Sequence, residues 1–235
     1  MKESLPTSFS NGRFLVEKIL GKGGMGIVYE ALDTEQNMRV ALKTLHHINS
    51  DNVYYFKKEF RALQDLVHPN LCSLMELIKD DNVWFITMEL IHGVDFLSYS
   101  ENSNPKNNAA SFFDETRLRK ALVGLCQGLS ALHAAGKVHR DIKPSNVLIT
   151  EDDRVVLLDF GLVTEKEIRR QTQLGAIVGS AAYMAPEQAE GEMVGPEVDC
   201  YAVGVMLYEA LTGNFPFSGV YSDVNRSLIP LQTDH

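Results

Sequence analysis

From residue 14 to residue 45 the apolar positions come in short runs interleaved with polar ones: FLVEKILG, GIVYEALD and, after TEQN, MRVALKTL. Alternation of this kind, broken by turn-forming residues, predicts strands. Between 51 and 67 the period lengthens. Phe56, Phe60, Leu63 and Val67 fall on one face of a helix, while Lys57, Lys58, Arg61, Gln64 and Asp65 fall on the other. HPN ends that helix, and LCSLMELI and VWFITMEL predict two more strands around the turn KDDN. Residues 99–113, YSENSNPKNNAASFF, have the composition of a surface loop. Asp114 then caps a helix carrying Leu118, Leu122, Leu125, Leu129 and Leu132 and closed by Gly136. VLIT and VVLLDF predict short strands. PEVDCYAVGVMLYEALTG predicts a helix that is apolar on nearly every side and is expected to be buried. A strand-rich part with one helix thus precedes a helix-rich part, which gives an α+β chain of two lobes joined near ELIHGV.

Composition narrows the class. With 235 residues, 45% hydrophobic and 23% charged, the chain is globular and long enough for a large core. No apolar run approaches the roughly 20 residues of a bilayer span, and the polar MKESLPTSFSNGR has no signal-peptide core, so no membrane segment is expected. Cys72, Cys126 and Cys200 lie far apart without metal-ligand spacing, which places the chain in a reducing cytoplasm. A net charge of -9 argues against a nucleic-acid partner.

GKGGMGIVYE contains Gly21, Gly23 and Gly26 in the order G-x-G-x-x-G, a pattern shared by dinucleotide-binding turns and by hairpins that cover the phosphates of ATP. The first needs a helix after the glycines and an acid about 20 residues on. Here IVYEA follows, and Ala41 stands at that distance, so the dinucleotide form is excluded. The ATP form needs a strand after the loop, a valine over the base and a lysine on the next strand. Val28 and Lys43 supply the last two, and alternation puts Ala41 and Lys43 on one face with Val40 and Leu42 on the other. Glu59 falls within the apolar stripe of the helix, where a carboxylate is costly unless paired, and Lys43 is its natural partner.

VHRDIKPSNVL carries His139, Arg140, Asp141, Lys143 and Asn146 between an apolar helix and an apolar strand; DFG follows at Asp159, and APE at Ala185 to Glu187. With these motifs in order the chain resembles the protein kinase family, and GGMGIVYEA and GLVTE are similar to the bacterial Hanks-type serine/threonine kinases. The resemblance implies a two-lobed kinase domain over 14–235 after a tail at 1–13. Its N-lobe, an antiparallel sheet with one helix, covers about 14–88, the hinge about 89–94, and a partial C-lobe, mainly helical, about 95–235. It implies ATP and Mg²⁺ as cofactors and transfer of the γ-phosphate to Ser/Thr hydroxyls of proteins.

Asp141 would accept or orient the acceptor hydroxyl, Lys143 would steady the phosphate, and Asn146 and Asp159 would hold the metal. Gly21, Lys22, Gly23, Gly24, Met25 and Gly26 would cover the phosphates, with Lys43 set by Glu59. Val28 and Ala41 would lie on the adenine, Met88 would be the gatekeeper, and Glu89 to Ile91 the hinge. His139 and Asp199 would be structural, His139 against Phe160 and Asp199 on the backbone of the catalytic loop. Arg140 beside Asp141 marks kinases ordered by a phosphate in the activation segment, where Thr172 is the expected autophosphorylation site, with dimerisation to bring copies together. Ser180 would contact Lys143 and the catalytic aspartate. The family continues past GNFPFSG through further helices, one bearing an arginine partner for Glu187, whereas VYSDVNRSLIPLQTDH shows no helical period, so the C-lobe is expected to be truncated. The other readings are a pseudokinase that binds nucleotide or acts as a scaffold, and a small-molecule phosphotransferase, which APE disfavours.

Overall fold

A computed structural model describes residues 6–23, 26–45, 53–81, 83–101, 113–160, 180–218 and 227–228. The chain divides into two compact units, Met1–His92 and Gly93–His235.

The first unit is a six-stranded antiparallel sheet in the order β1-β2-β3-β4-β6-β5, formed by β1 (Ser8–Phe9), β2 (Phe14–Gly23), β3 (Gly26–Asp33), β4 (Met38–Leu45), β5 (Leu74–Asp80) and β6 (Val83–Glu89). Strand parity behaves as the sequence pattern requires. Val40 and Leu42 turn to one face and pack with Phe14, Tyr29, Ala31 and Phe85, with Phe9, Val16, Ile27, Met75 and Ile78 around them. Residues 8–13, expected in a tail ahead of the domain, contribute to this sheet. Ser8 and Phe9 pair with Leu15 and Phe14, and the Phe9 ring sits 5.7 Å from Tyr29 and 5.4 Å from Phe85. Arg13 donates to Asp33 and Glu76, which ties β3 to β5, and its guanidinium lies 4.6 Å over the Phe14 ring.

Helix α1 (Val53–Gln64) buries Phe60 and Leu63 and half-buries Phe56, while its Lys57 ammonium lies 5.0 Å from the Trp84 ring centre. The expected helix to residue 67 is too long. Leu66 N–H already reaches back three residues to the Leu63 carbonyl, and His68 precedes Pro69, a place where helical backbone is disfavoured. Val67 therefore leaves the stripe and is 84% exposed.

In the second unit, β7 (Val94–Asp95), β8 (Val147–Ile149) and β9 (Val155–Leu157) form a small antiparallel sheet in that order. Asp95 caps α2 (Phe96–Ser100) by accepting from Leu97 and Ser98 N–H, so Tyr99 and Ser100, expected in the loop, are helical and buried. Asp114 caps α3 (Glu115–Ala134), which buries Leu118, Ala121, Leu125, Leu129 and Leu132, with Leu122 at the edge of the stripe, and packs on β9. A short helix, α4 (Pro186–Ala189), precedes α5 (Glu197–Thr212), and β10 (Phe217–Ser218) pairs with β11 (Ser227–Leu228). Gly213, at φ 69°, ends α5 by donating to Glu209 carbonyl. Helix α5 buries Val198, Asp199, Ala202, Val205, Met206 and Ala210 but leaves Leu211 40% exposed. Its uniform apolarity carries no period to say which side is covered.

Candidate active site

In the first unit the candidate residues line up across strands. Directly paired residues of an antiparallel ladder share a face. The rows are Val28↔Lys43↔Ile86 and Glu30↔Ala41↔Met88, so Val28, Ala41, Lys43 and Met88 occupy the face opposite the Phe14–Leu42 core. Ala41, Lys43 and Met88 are buried, Val28 is half-buried, and Glu59 on α1 is half-buried.

Gly23 pairs with Gly26 at the end of the β2–β3 hairpin, and Lys22 is exposed. The glycines have different grounds for being there. Gly26 has a φ of 149°, and a Cβ on it would stand 1.7 Å from the Thr44 carbonyl oxygen. The Thr44 hydroxyl is bonded to Ile27 there, accepting its N–H and donating to its carbonyl. A Cβ on Gly21 or Gly23 meets nothing within 4 Å, so the protein's own packing does not demand glycine at either. Gly24 and Met25 lie outside the described residues. At the end of β6, Glu89 N–H donates to Ser73 carbonyl at 2.9 Å and Glu89 carbonyl accepts from the Cys72 thiol at 3.6 Å; Ile91 follows, half-buried.

The second unit gathers its candidates on the loop before β8. Lys143 Nζ donates to Asp141 Oδ2 at 2.7 Å. Asn146, in the 3₁₀ turn Pro144–Asn146, donates from Nδ2 to the same Oδ2 at 3.0 Å and to Asp141 carbonyl at 2.7 Å. Asp141, Lys143 and Asn146 are thus one cluster around a single carboxylate.

The loop beneath them is fixed by buried groups. Asp199, 1% exposed on α5, accepts His139 N–H on Oδ2 and Arg140 N–H on Oδ1, both at 2.8 Å. His133 Nε2 adds a third bond to Asp199 Oδ2 at 2.8 Å. His139 Nδ1 accepts Asp141 N–H at 3.2 Å, so its Nε2 carries the hydrogen and donates to Leu158 carbonyl at 2.8 Å. With both ring nitrogens engaged and full burial, His139 is a structural residue; Phe160 is buried as well. Arg140 and Asp159 adopt positive φ, 69° and 58°, which costs energy in residues other than glycine and is held by the surroundings. Asp159 is half-buried just after β9.

Gln188 and His133 are members of this cluster that the motifs do not reveal. Gln188 Nε2 donates to Arg140 carbonyl at 2.6 Å from α4, and His133 reaches Asp199 from the end of α3. Each acts across a long sequence separation, and neither interrupts an apolar stripe. The 3₁₀ turn Ser180–Tyr183 opens on Ser180 and is tied to α5 where Tyr183 hydroxyl donates to Glu209 at 2.6 Å; burial, then this carboxylate, pushes the phenol well above its ordinary pKa. Glu187 is half-buried at the start of α4, and Thr172 lies outside the described residues.

The family model of the protein kinase domain matches residues 14–232. The serine/threonine-protein kinase PknA of Mycobacterium tuberculosis is 36% identical over 220 residues, covering 89% of this chain and 49% of that protein. PknL of the same organism is 35% identical over 221 residues, covering 93% and 54%. The chain therefore spans about half the length of these relatives. The crystal structure of the M. tuberculosis PknI kinase domain superposes with a TM-score of 0.71 at 22% identity, over 97% of this chain and 82% of that one. This likeness shows the two-lobed kinase fold, with an antiparallel sheet in the N-lobe and helices dominating the C-lobe. The chain belongs to the protein kinase family, among its bacterial Hanks-type serine/threonine members.

Proposed function

We propose that the chain is the catalytic domain of a cytoplasmic serine/threonine protein kinase that moves the γ-phosphate of Mg-ATP to Ser/Thr hydroxyls of proteins. The observation that carries this reading is the Asp141 carboxylate, held between Lys143 and Asn146 on a loop whose backbone is fixed by Asp199. Phosphoryl transfer asks for positioning and charge neutralisation more than covalent chemistry, and a fixed carboxylate beside a lysine supplies both.

The residues present fit Mg-ATP. Mg²⁺ takes one or two protein oxygens and fills its octahedron with phosphate and water. Asn146 commits its amide nitrogen to Asp141, which leaves its oxygen as the ligand atom, and Asp159 is the second donor. The space beside Gly21 and Gly23 accords with phosphates lying against backbone. When bound, Mg-ATP supplies the phosphoryl group and a cation that offsets its charge.

Asp141 accepts or orients the acceptor hydroxyl, and Lys143 steadies the transferring phosphate. Lys43, with Glu59 as its expected partner, would reach the other phosphates, and Gly21, Lys22, Gly23, Gly24, Met25 and Gly26 would cover them. Val28 and Ala41 would pack on adenine with Met88 as gatekeeper, and backbone groups of Glu89 to Ile91 would bond its edge. Arg140 would receive a phosphate on Thr172, placed there by a second copy of the chain in a dimer, and Ser180 would serve Lys143 and Asp141.

The test is incubation with labelled ATP, Mg²⁺ and a generic protein substrate beside the Asp141→Asn variant. Transfer should fall by about 10²- to 10⁴-fold in the variant with its unfolding midpoint unchanged. Equal transfer by both would exclude the mechanism, and a wild type that binds nucleotide without transfer would make the chain a scaffold. Phosphopeptide mapping of an active sample should find phosphate on Thr172; an unmodified Thr172 there would sink the regulatory reading.

A further inference from the structure

Arg140 is held in its left-handed conformation from both sides. Its N–H donates to Asp199 on α5, and its carbonyl accepts Gln188 Nε2 from α4 at 2.6 Å. That carbonyl belongs to the same peptide group as Asp141 N–H, which donates to His139 Nδ1 at 3.2 Å. One peptide plane is therefore pinned at its oxygen by Gln188 and at its nitrogen by His139. It is the plane that leads into Asp141, so its rotation sets where the Asp141 Cα–Cβ bond points. Gln188 is 5% exposed, 48 residues from Arg140, and has no role in the reaction as described so far.

We propose that Gln188 is a positioning residue: by holding the Arg140 carbonyl it sets the aim of the Asp141 carboxylate and couples α4, just after the activation segment, to the catalytic loop. This rests on the phosphoryl-transfer reading. Order at Ala185–Glu187 would reach Asp141 through this side-chain amide. Such an amide can be replaced without opening a cavity, since methionine has nearly the same length and volume.

In Gln188→Met, kcat should fall on the order of tenfold or more, while KM for ATP stays within about twofold and the protein still folds, its unfolding midpoint lowered only by the loss of one buried hydrogen bond. An unchanged kcat would overturn the proposal. Gln188→Glu adds a reading that packing alone would not move. Its ionised carboxylate faces a carbonyl oxygen, whereas the neutral form carries an O–H that can donate to it. Its rate relative to wild type should rise between about pH 8 and about pH 6, because burial raises a glutamic acid pKa. Asp141, Asp199, His133, His139 and Arg140 are present in both proteins and cancel in the ratio. A flat ratio would overturn the proposal, also where Gln188→Met fails to fold. Amide hydrogen exchange at Arg140 and Asp141 should quicken in Gln188→Glu at high pH, and unchanged exchange counts against the clamp. A wild type that transfers no phosphate would sink the kinase reading alone, leaving exchange to decide the role of Gln188.

Discussion

The hairpin over residues 14–33 and the loop over residues 139–146 hold their side chains in place by different means. In the hairpin, Val28 is aimed by the ladder of β2, β3 and β4, and many equivalent backbone bonds share the load. The loop has no ladder around Asp141. Its backbone hangs on Asp199, 59 residues away from Arg140 and 60 from His139, and on Gln188, 48 residues away from Arg140. Support is spread out in the first case and concentrated in the second. A single substitution should therefore do most damage where one buried carboxylate carries several bonds, and least where the contact is wet.

Asp199→Ala tests the concentrated end and should have the largest effect. It strips the acceptor from His139 and Arg140 N–H and from His133, at a site where Asp199 is 1% exposed. Breaking a buried charged network of this kind costs about 3–5 kcal/mol. Denaturant unfolding should record that loss, and phosphoryl transfer should fall further than stability alone explains. A loss below about 1 kcal/mol would mean that the loop is held elsewhere.

Gly26→Ala and Gly23→Ala divide the hairpin itself. A Cβ on Gly26 collides with the Thr44 carbonyl at a φ of 149°, so roughly 2–4 kcal/mol of stability should be lost. On Gly23 the added methyl meets nothing within 4 Å, and stability should change by less than about 0.5 kcal/mol. If phosphates lie against this backbone, Gly23→Ala nevertheless raises KM for ATP. Thermal unfolding and ATP kinetics on the same samples separate the two glycines, and equal stability losses would erase the distinction.

The same contrast decides what could be read from the sequence. Strand parity is local, so Ala41 and Lys43 could be placed on one face and Val40 and Leu42 on the other from eight letters, MRVALKTL, and the structure makes the second face the core. Asp199 was legible through the family resemblance, which implies that it anchors the catalytic loop, and a carboxylate in an apolar helix fits that role. Gln188 and His133 were not, since a neutral amide after APE and a histidine at the end of a helix break no pattern. Val67 was misread because helical spacing outlasted the helix, whose end is set by His68–Pro69. Ser8–Phe9 is too short for any period, and its place depends on Phe9 finding Tyr29 and Phe85.

Arg13→Met moves the comparison to ion pairs in the first unit. Asp33, 2% exposed, would keep the N–H groups of Glu35 and Gln36 but lose the guanidinium, at a cost of about 2 kcal/mol. The Arg13 hydrogen bonds, followed by those backbone donors, hold the Asp33 carboxyl below its ordinary range. A depressed carboxyl stabilises the fold above its unfolded pKa, and that contribution fades as pH falls below about 4. Unfolding from pH 6 down to about pH 2.5 should show a shallower acid loss in Arg13→Met than in the wild type. Parallel curves would mean that Asp33 is held without Arg13.

The smallest effects belong to Asp153 in the second unit, which accepts from Lys120 and, at 2.7 Å, from Tyr99 hydroxyl. Lys120 is 52% exposed and its bridge is screened by water, so Lys120→Met should leave the unfolding midpoint where it is. Tyr99 is buried, and Tyr99→Phe should cost about 1 kcal/mol, since the ring still fills its site and one hydrogen bond is removed. Burial first, and Asp153 second, push the phenol up to about 12. A raised acid favours its neutral form in the fold, so this stability is whole below about pH 10 and is lost as pH climbs toward 12. The difference between wild type and Tyr99→Phe should close over that interval. If Lys120→Met destabilised the chain more than Tyr99→Phe, exposure would not rank these contacts, and the ordering from Asp199 downward would lose its physical basis.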